Sequence, residues 1–134
     1  MAVFDLENLN QGAWFDYPDG GRIKVRAYSP GLISEIQEKH TIRTVEYKRA
    51  KKHAQLQAVA DEKVDMAAAK DDIHDYVIVT WEGFETPDGT PIECTRENKV
   101  NLMNNDPAFY AFVNECVETL VPQLAEDAED SEKN

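Results

Sequence analysis

The sequence has few cysteines and no long apolar run. Its two cysteines, Cys94 and Cys116, lie far apart and outside any Cys-x-x-Cys pair. The chain therefore lacks the paired soft ligands of a structural zinc site and the cysteine density of a disulfide scaffold. No apolar stretch approaches the roughly 20 residues that a membrane-spanning helix needs. We predict two reduced thiols and no membrane partner.

Basic side chains are also scarce. The 134 residues include 14 Lys and Arg against 26 Asp and Glu, which gives a formal net charge of −12. Because binding to nucleic-acid phosphates requires a basic surface, this balance argues against nucleic acid as a partner. The start of the chain lacks the basic residues and apolar run of a secretory signal, so we expect an intracellular protein.

The length and the end of the chain predict the domain organisation. A chain of this size usually forms one domain with a real core. Residues 126–134 are strongly acidic and have no large apolar side chain to bury, which is typical of disorder. We predict a single α+β domain over 1–125 and a disordered acidic tail over 126–134.

A hairpin pattern lies near the start of the chain. Apolar and polar side chains alternate over 23–28, and Asp19-Gly20-Gly21 tolerates the positive φ that tight turns require. We therefore predict a β-hairpin across about 13–28. Ser29-Pro30 then predicts a helix start, because the hydroxyl caps the helix and the proline lacks only an N–H that needs no partner there.

The segment from Thr41 to Lys70 has no proline or glycine and is rich in good helix formers, so we predict one long helix. Its first part is unusually basic, since residues 39–52 contain six Lys and Arg and one acidic residue, Glu46. Three interpretations stay open: a solvated helix face, a docking surface for an acidic partner or another copy of the chain, and a nucleic-acid contact.

Two signals conflict over residues 73–84. The run from Tyr76 to Trp81 is rich in β-branched and aromatic side chains, which favours a strand. The apolar residues nevertheless recur at the spacing of one helix face. Sequence physics alone leaves helix and strand about equal. Further along, Thr95 and Asp106-Pro107 predict two more helix starts, the second opening a wide apolar stripe from Phe109 to Leu124.

Catalytic motifs are absent from the sequence. It contains no P-loop, Gly-x-Ser-x-Gly, His-Glu-x-x-His or calcium-loop pattern. A metal site can be drawn from His74 and its neighbours Asp71, Asp72 and Asp75, but adjacent positions on a helix point in different directions. We predict no enzyme activity, no cofactor and no metal site.

The second half of the chain resembles the tail assembly chaperones of long-tailed bacteriophages. The resemblance covers roughly residues 70–134, through Trp81-Glu82-Gly83-Phe84, then the run from Pro87 to Thr95, then Glu97-Asn98 and the apolar helix from Pro107. In that family an aliphatic helix ends in Trp-x-Gly and is followed by an acidic-Gly-x-Pro turn, an extended piece and a closing helix. The resemblance implies that 73–84 is helical.

For function, the resemblance implies a non-catalytic chaperone. Such proteins coat the tape measure protein during tail assembly in the bacterial host cytoplasm, and they are absent from the mature virion. It implies the tape measure protein as the partner, with the tail tube protein as a further one and self-association of the chain. An acidic body is compatible with this role, because like charges keep a client dispersed. The alternative is a structural tail or head-tail connector component that stays in the virion.

We thus expect an α+β, mainly helical fold, in which an N-terminal β-hairpin precedes four to five helices. Self-association between the basic segment and the acidic remainder should weaken as salt is raised. The residues predicted to bind partners are aromatic side chains of the Trp-x-Gly-Phe segment and of the closing helix, and basic side chains of 39–52: Trp81, Phe84, Phe109, Phe112, Lys48, Arg49, Lys51 and Lys52.

Overall fold

The structure, a computed structural model, describes residues 2–7 and 9–133, with side chains described up to Val121. Within these residues there are four helices and five strands. In chain order they are β1 (Ala13–Asp16), β2 (Arg22–Val25), α1 (Pro30–Lys39), β3 (Thr41–Lys48), β4 (Gln57–Val64), α2 (Met66–Val77), β5 (Ile78–Glu82), α3 (Arg96–Asn105) and α4 (Pro107–Lys133).

The chain divides into two compact units. One comprises Met1–Tyr28 and Ile73–Asn134, and the other comprises Ser29–Asp72, so that α2 crosses the boundary. This division does not test whether 1–125 folds as one domain, which stays a prediction. The prediction of a disordered tail over 126–134 falls on residues whose side chains, together with all of Asn134, lie outside the described part of the chain. Helix α4 is assigned through Lys133.

The first unit is built on an antiparallel sheet in the order β1-β2-β5. Ile23 of β2 lies opposite Phe15 of β1 and Trp81 of β5, so the central strand places its apolar side chains between two aromatic neighbours. Ile23 and Val25 are fully buried, whereas Lys24 between them is only partly covered. This alternation follows from the pleat of a strand with one face on the core.

Helix α4 covers the core face of this sheet. It contributes Phe109, Val113, Cys116 and Val117 to one buried cluster, whose other members come from β2, α2, β5 and α3: Ile23, Val25, Val77, Ile78, Trp81 and Met103. The α4 residues recur at the i, i+4, i+7, i+8 spacing of one helix face. The apolar stripe from Phe109 is therefore core up to Val117.

Residues 73–84 are not one helix. Helix α2 ends at Val77 and β5 begins at Ile78, so the helix implied by the resemblance is wrong for 78–82. The reason is pairing: the backbone of β5 joins β2, with Trp81 opposite Ile23 and Thr80 opposite Lys24. Helical spacing thus described the segment up to Val77, and strand propensity described it from Ile78.

The long helix predicted over Thr41–Lys70 is also wrong. Residues 41–48 and 57–64 form the antiparallel pair β3-β4, and helix begins only at Met66. The first strand is rich in β-branched and aromatic side chains, which favour extended backbone. The lack of glycine and proline permits a helix, but it does not require one.

These strands correct the fold class. The protein is α+β, with five strands in two antiparallel sheets among the described residues, and it is not mainly helical.

The N-terminal hairpin predicted across 13–28 is confirmed, since β1 pairs with β2. The predicted helix starts are confirmed as well: the Ser29 hydroxyl accepts from the Leu32 N–H, the Thr95 hydroxyl from Asn98 N–H, and the Asp106 carboxylate from Phe109 N–H.

The two thiols differ in environment, which predicts different reactivity. Burial raises the pKa of both thiols, that of Cys116 to about 11, and Cys116 is buried whereas Cys94 is only partly buried. At pH 8 a thiol of pKa 11 is about 0.1% thiolate, the form that reacts with alkylating agents. We expect iodoacetamide to modify Cys94 at least about tenfold faster than Cys116 in the folded protein, as followed by peptide mass spectrometry. In concentrated urea the two rates should converge, and equal rates in the folded protein would contradict the burial of Cys116.

Candidate functional site

The β3-β4 hairpin of the second unit is unusually exposed. Each strand has eight residues, paired from Thr41 opposite Val64 to Lys48 opposite Gln57. Every residue of the two strands except Thr41 is exposed. Two strands alone bury little apolar surface and are marginally stable in water. The large apolar side chains that this hairpin leaves in solvent therefore make it a candidate interaction surface.

One face of the hairpin carries three of the large exposed apolar side chains of its strands, Val45, Tyr47 and Val64, and the other face carries Ile42 and Val59. Side chains alternate along each strand, so the side that holds Thr41 and the paired Arg43 and Glu62 also carries five apolar residues: Val45, Tyr47, Ala58, Ala60 and Val64. We call this set the apolar hairpin face. Val45 and Tyr47 are 58% and 69% exposed. The opposite face is more polar, with Ile42 and Val59 as its large apolar members.

Salt bridges fix the base of the hairpin. Arg43 lies opposite Glu62, and its Nε donates to the Glu62 carboxylate at 3.0 Å. The same guanidinium donates to Glu38 at the end of α1. Hydrogen bonds to Glu38 and Glu62 raise the pKa of Arg43, so it stays charged throughout the working pH range. The ion pair contributes little stability because it is exposed, but it restricts the register.

The far end of the hairpin is basic. The connecting segment 49–56 contains Arg49, Lys51 and Lys52, all exposed, and no acidic residue. We call these three the basic tip. Within the described part of the chain none of the three has an ion-pair partner, whereas the neighbouring Lys48 lies 3.3 Å from Glu46. The tip therefore presents uncompensated positive charge on a protein whose net charge is −12.

The first unit contains a cleft of about 370 Å³ next to the β1-β2 turn. Three rings form its floor: Tyr17, Phe84 and Phe109, with centroids 5.3 Å apart between Tyr17 and Phe84 and 6.2 Å between Phe84 and Phe109. The ring pairs are tilted or edge-to-face, as the quadrupoles of aromatic rings prefer. We call this the aromatic cleft.

The rim of the aromatic cleft is acidic. Asp19, Glu85 and Asp106 line it, and the lining residues within the described chain include no Lys or Arg. Burial raises the pKa of the Tyr17 hydroxyl, and the charges of Asp106 and Asp19 raise it further. A cation is therefore favoured over an anion here, both by the carboxylates and by the ring faces.

The residues predicted to bind partners fall into two places. Trp81 and Phe109 are buried in the core, while Phe84 and Phe112 are half-buried around Tyr17. The four basic residues lie together at the end of the hairpin, with Lys48 closing β3 and Arg49, Lys51 and Lys52 in the segment after it. Their role in binding stays a prediction.

Sequence reasoning missed the apolar hairpin face and the acidic rim. The face had a local signal, because Thr41, Ile42, Thr44, Val45 and Tyr47 favour a strand. The rim had none, since Asp19, Glu85 and Asp106 come from three separate segments that only folding brings around one cavity.

The histidines do not form a metal site in the described residues, where no group of three or more His, Cys, Asp or Glu side chains is arranged to hold an ion. His40 instead contacts Asp72, with 2.7 Å between Nε2 and Oδ2, and Lys39 reaches the same oxygen at 3.3 Å. His74 is buried.

Of the described helices, none has the length and apolar character that crossing a bilayer requires.

Comparison with known proteins gives one family. A family model described as "YdaY prophage protein" matches residues 34–134. No curated protein and no solved structure gives a significant match. The matched region includes the β3-β4 hairpin, β5 and both C-terminal helices.

Proposed function

The chain belongs to the YdaY prophage protein family, and we propose that it is a non-catalytic tail assembly chaperone that binds the tape measure protein of its prophage. The observation that carries the proposal is the exposed apolar hairpin face. A chaperone of this kind needs apolar surface that is open to a client, and a charged body that keeps the complex dispersed.

The apolar hairpin face supplies the first requirement. Its large side chains lie on one side of a ribbon, at the two-residue spacing of a strand. Such a row fits the apolar side of an amphipathic client segment, and burying it removes the unfavourable exposure of Val45 and Tyr47. The matching family region includes this hairpin.

The strand edges add a second kind of contact. In the described residues β3 and β4 form a two-stranded sheet, so each strand keeps one edge with unpaired backbone groups. An extended client segment is able to add there as a third strand, where the main chain supplies affinity and the alternating side chains supply selectivity.

The charge of the chain supplies the remaining requirement. A net charge of −12 on 134 residues makes complexes of several copies with one client repel each other. The resemblance of residues 70–134 to tail assembly chaperones supports the tape measure protein as client, the tail tube protein as a further partner, and action in the host cytoplasm.

Co-expression with the tape measure protein of the same prophage tests the proposal. We expect the chain to raise the soluble fraction of the client, measured by quantitative immunoblot after centrifugation. Replacing Val45→Thr and Tyr47→Thr together should reduce that gain by at least about half, because threonine keeps the strand preference and removes apolar surface.

The matched control is Ile42→Thr with Val59→Thr on the opposite face. It removes two exposed apolar side chains from the same hairpin and should leave the gain in client solubility unchanged. If client solubility is the same with and without the chain, the chaperone proposal is wrong. If the two double variants act equally, the apolar hairpin face is not the client surface.

The composition of purified phage particles distinguishes a chaperone from a structural component of the virion. We expect mass spectrometry to find the tape measure protein in them without this chain. Recovery of the chain in constant stoichiometry with the tail tube protein would instead identify a structural tail or head-tail component.

A further inference from the structure

We propose that the basic tip of one copy binds the aromatic cleft of a second copy. The contact joins two different surfaces of the same protein, so copies either associate head to tail or exchange tips reciprocally and close as a dimer. This inference goes beyond the proposed function, because it requires no client and is tested on the purified chain.

The charges of the two surfaces are complementary. The tip offers three cations, Arg49, Lys51 and Lys52, and the rim of the cleft offers three carboxylates. On a chain of net charge −12, the basic tip is the surface that the acidic remainder of another copy attracts most strongly.

The interior of the cleft suits the same occupant. The same cleft is lined by Tyr17, Phe84 and Phe109, and an ammonium or guanidinium group is attracted to aromatic rings. The stems of lysine and arginine are aliphatic and pack on such rings, while the charged end reaches the rim.

The volume of the cleft suits a loop of the second copy as its occupant and is too small for a folded domain. At about 370 Å³ it is at the lower end of ligand pockets, which run from roughly 300 to 1,000 Å³. One long side chain and its flanking backbone fill that space. A β-ribbon ending in a short basic segment presents such a group with little to obstruct its approach.

Charge reversal tests the contact from both sides. We expect sedimentation velocity at 50 mM salt to show association of the wild-type chain, and to show at least a tenfold weaker association at 500 mM salt, where the charges are screened. The tip variant Lys51→Glu/Lys52→Glu and the cleft variant Asp19→Lys/Glu85→Lys should each weaken association at least tenfold at low salt. All four residues are exposed, so circular dichroism should be unchanged.

A mixture of the two variants gives the decisive result. The tip variant keeps an acidic cleft and the cleft variant keeps a basic tip, so an equimolar mixture should associate more tightly than either variant alone. The control Lys63→Glu/Lys70→Glu makes the same change in net charge away from the tip and should associate like the wild type. A monomeric wild type at low salt, a mixture that stays monomeric, or a control that weakens association as much as the tip variant would each overturn the proposal.

Discussion

Replacing Gly21 with alanine is expected to lower the free energy of unfolding by about 3 kcal/mol. Gly21 has φ +79°, a left-handed conformation that costs alanine about 1 kcal/mol. A Cβ atom there would also lie 2.6 Å from the backbone oxygen of Glu82 and 2.9 Å from that of Gly83. Because backbone cannot move aside as a side chain can, β2 and β5 would have to separate, which adds about 1–3 kcal/mol.

Gly89 provides the matched control. It has a similar φ of +85°, but a Cβ atom at that position meets no atom within 4 Å. Gly89→Ala should therefore show only the conformational cost of about 1 kcal/mol. Urea unfolding, with a slope that stays constant between variants, measures both values. If the two substitutions cost the same, the close approach of the strands at Gly21 contributes nothing.

Gly83, directly after β5, tests the same contact from the other side. Its φ is +78°, and an added Cβ atom would lie 2.9 Å from the Cα of Gly21. Gly83→Ala should thus destabilise the protein much as Gly21→Ala does. Once one alanine has separated the strands, the second alanine meets less resistance. The double variant should therefore lose less free energy of unfolding than the sum of the losses of the two single variants.

The elements that sequence reasoning identified are those with local causes. A turn with Asp19-Gly20-Gly21 and the caps at Ser29, Thr95 and Asp106 depend on residues within four positions of each other. Steric and hydrogen-bonding preferences at that range hold in most tertiary contexts. The N-terminal hairpin and three helix starts were predictable for this reason.

The β3-β4 hairpin was missed because its cause is not local. Val45 pairs with Ala60 and Arg43 with Glu62, across 15 and 19 positions of sequence. Alanine, lysine, glutamate and glutamine favour helix when only neighbours are considered, but pairing across strands overrides so small a preference. At 78–82 pairing with β2 likewise decided the structure.

The same distinction explains what was predictable about the candidate site. The basic residues were visible as a cluster in sequence, although we expected them on a helix and they lie at the end of a hairpin. The aromatic cleft is assembled from Tyr17, Phe84 and Phe109, which come from a turn, a loop and a helix. No spacing in the sequence connects those three, so only the fold reveals the cavity.

Phe109→Ala is expected to lower the free energy of unfolding by about 3–5 kcal/mol, the range for removing a buried aromatic ring. Phe109 is 3% exposed and contacts Trp81, Phe84 and Tyr17 at centroid distances of 6.0–6.2 Å. The cavity left behind is flanked by rings from β5 and the β1-β2 turn that cannot collapse without moving the sheet. Urea unfolding followed by tryptophan fluorescence measures the change.

Two comparisons in α4 decide whether Phe109 acts as core or as a partner contact. Val121→Ala, at a site 49% exposed, should change stability by no more than about 0.5 kcal/mol, and Phe112→Ala, at a half-buried ring, should fall between the two. A loss below about 1 kcal/mol for Phe109→Ala would contradict a core role. If Phe109→Ala lowers the free energy of unfolding as expected, any loss of client solubility with this variant should be proportional to the fraction of the variant that is unfolded. The Val45 and Tyr47 substitutions should instead reduce client solubility in a fully folded chain, because their side chains support no core.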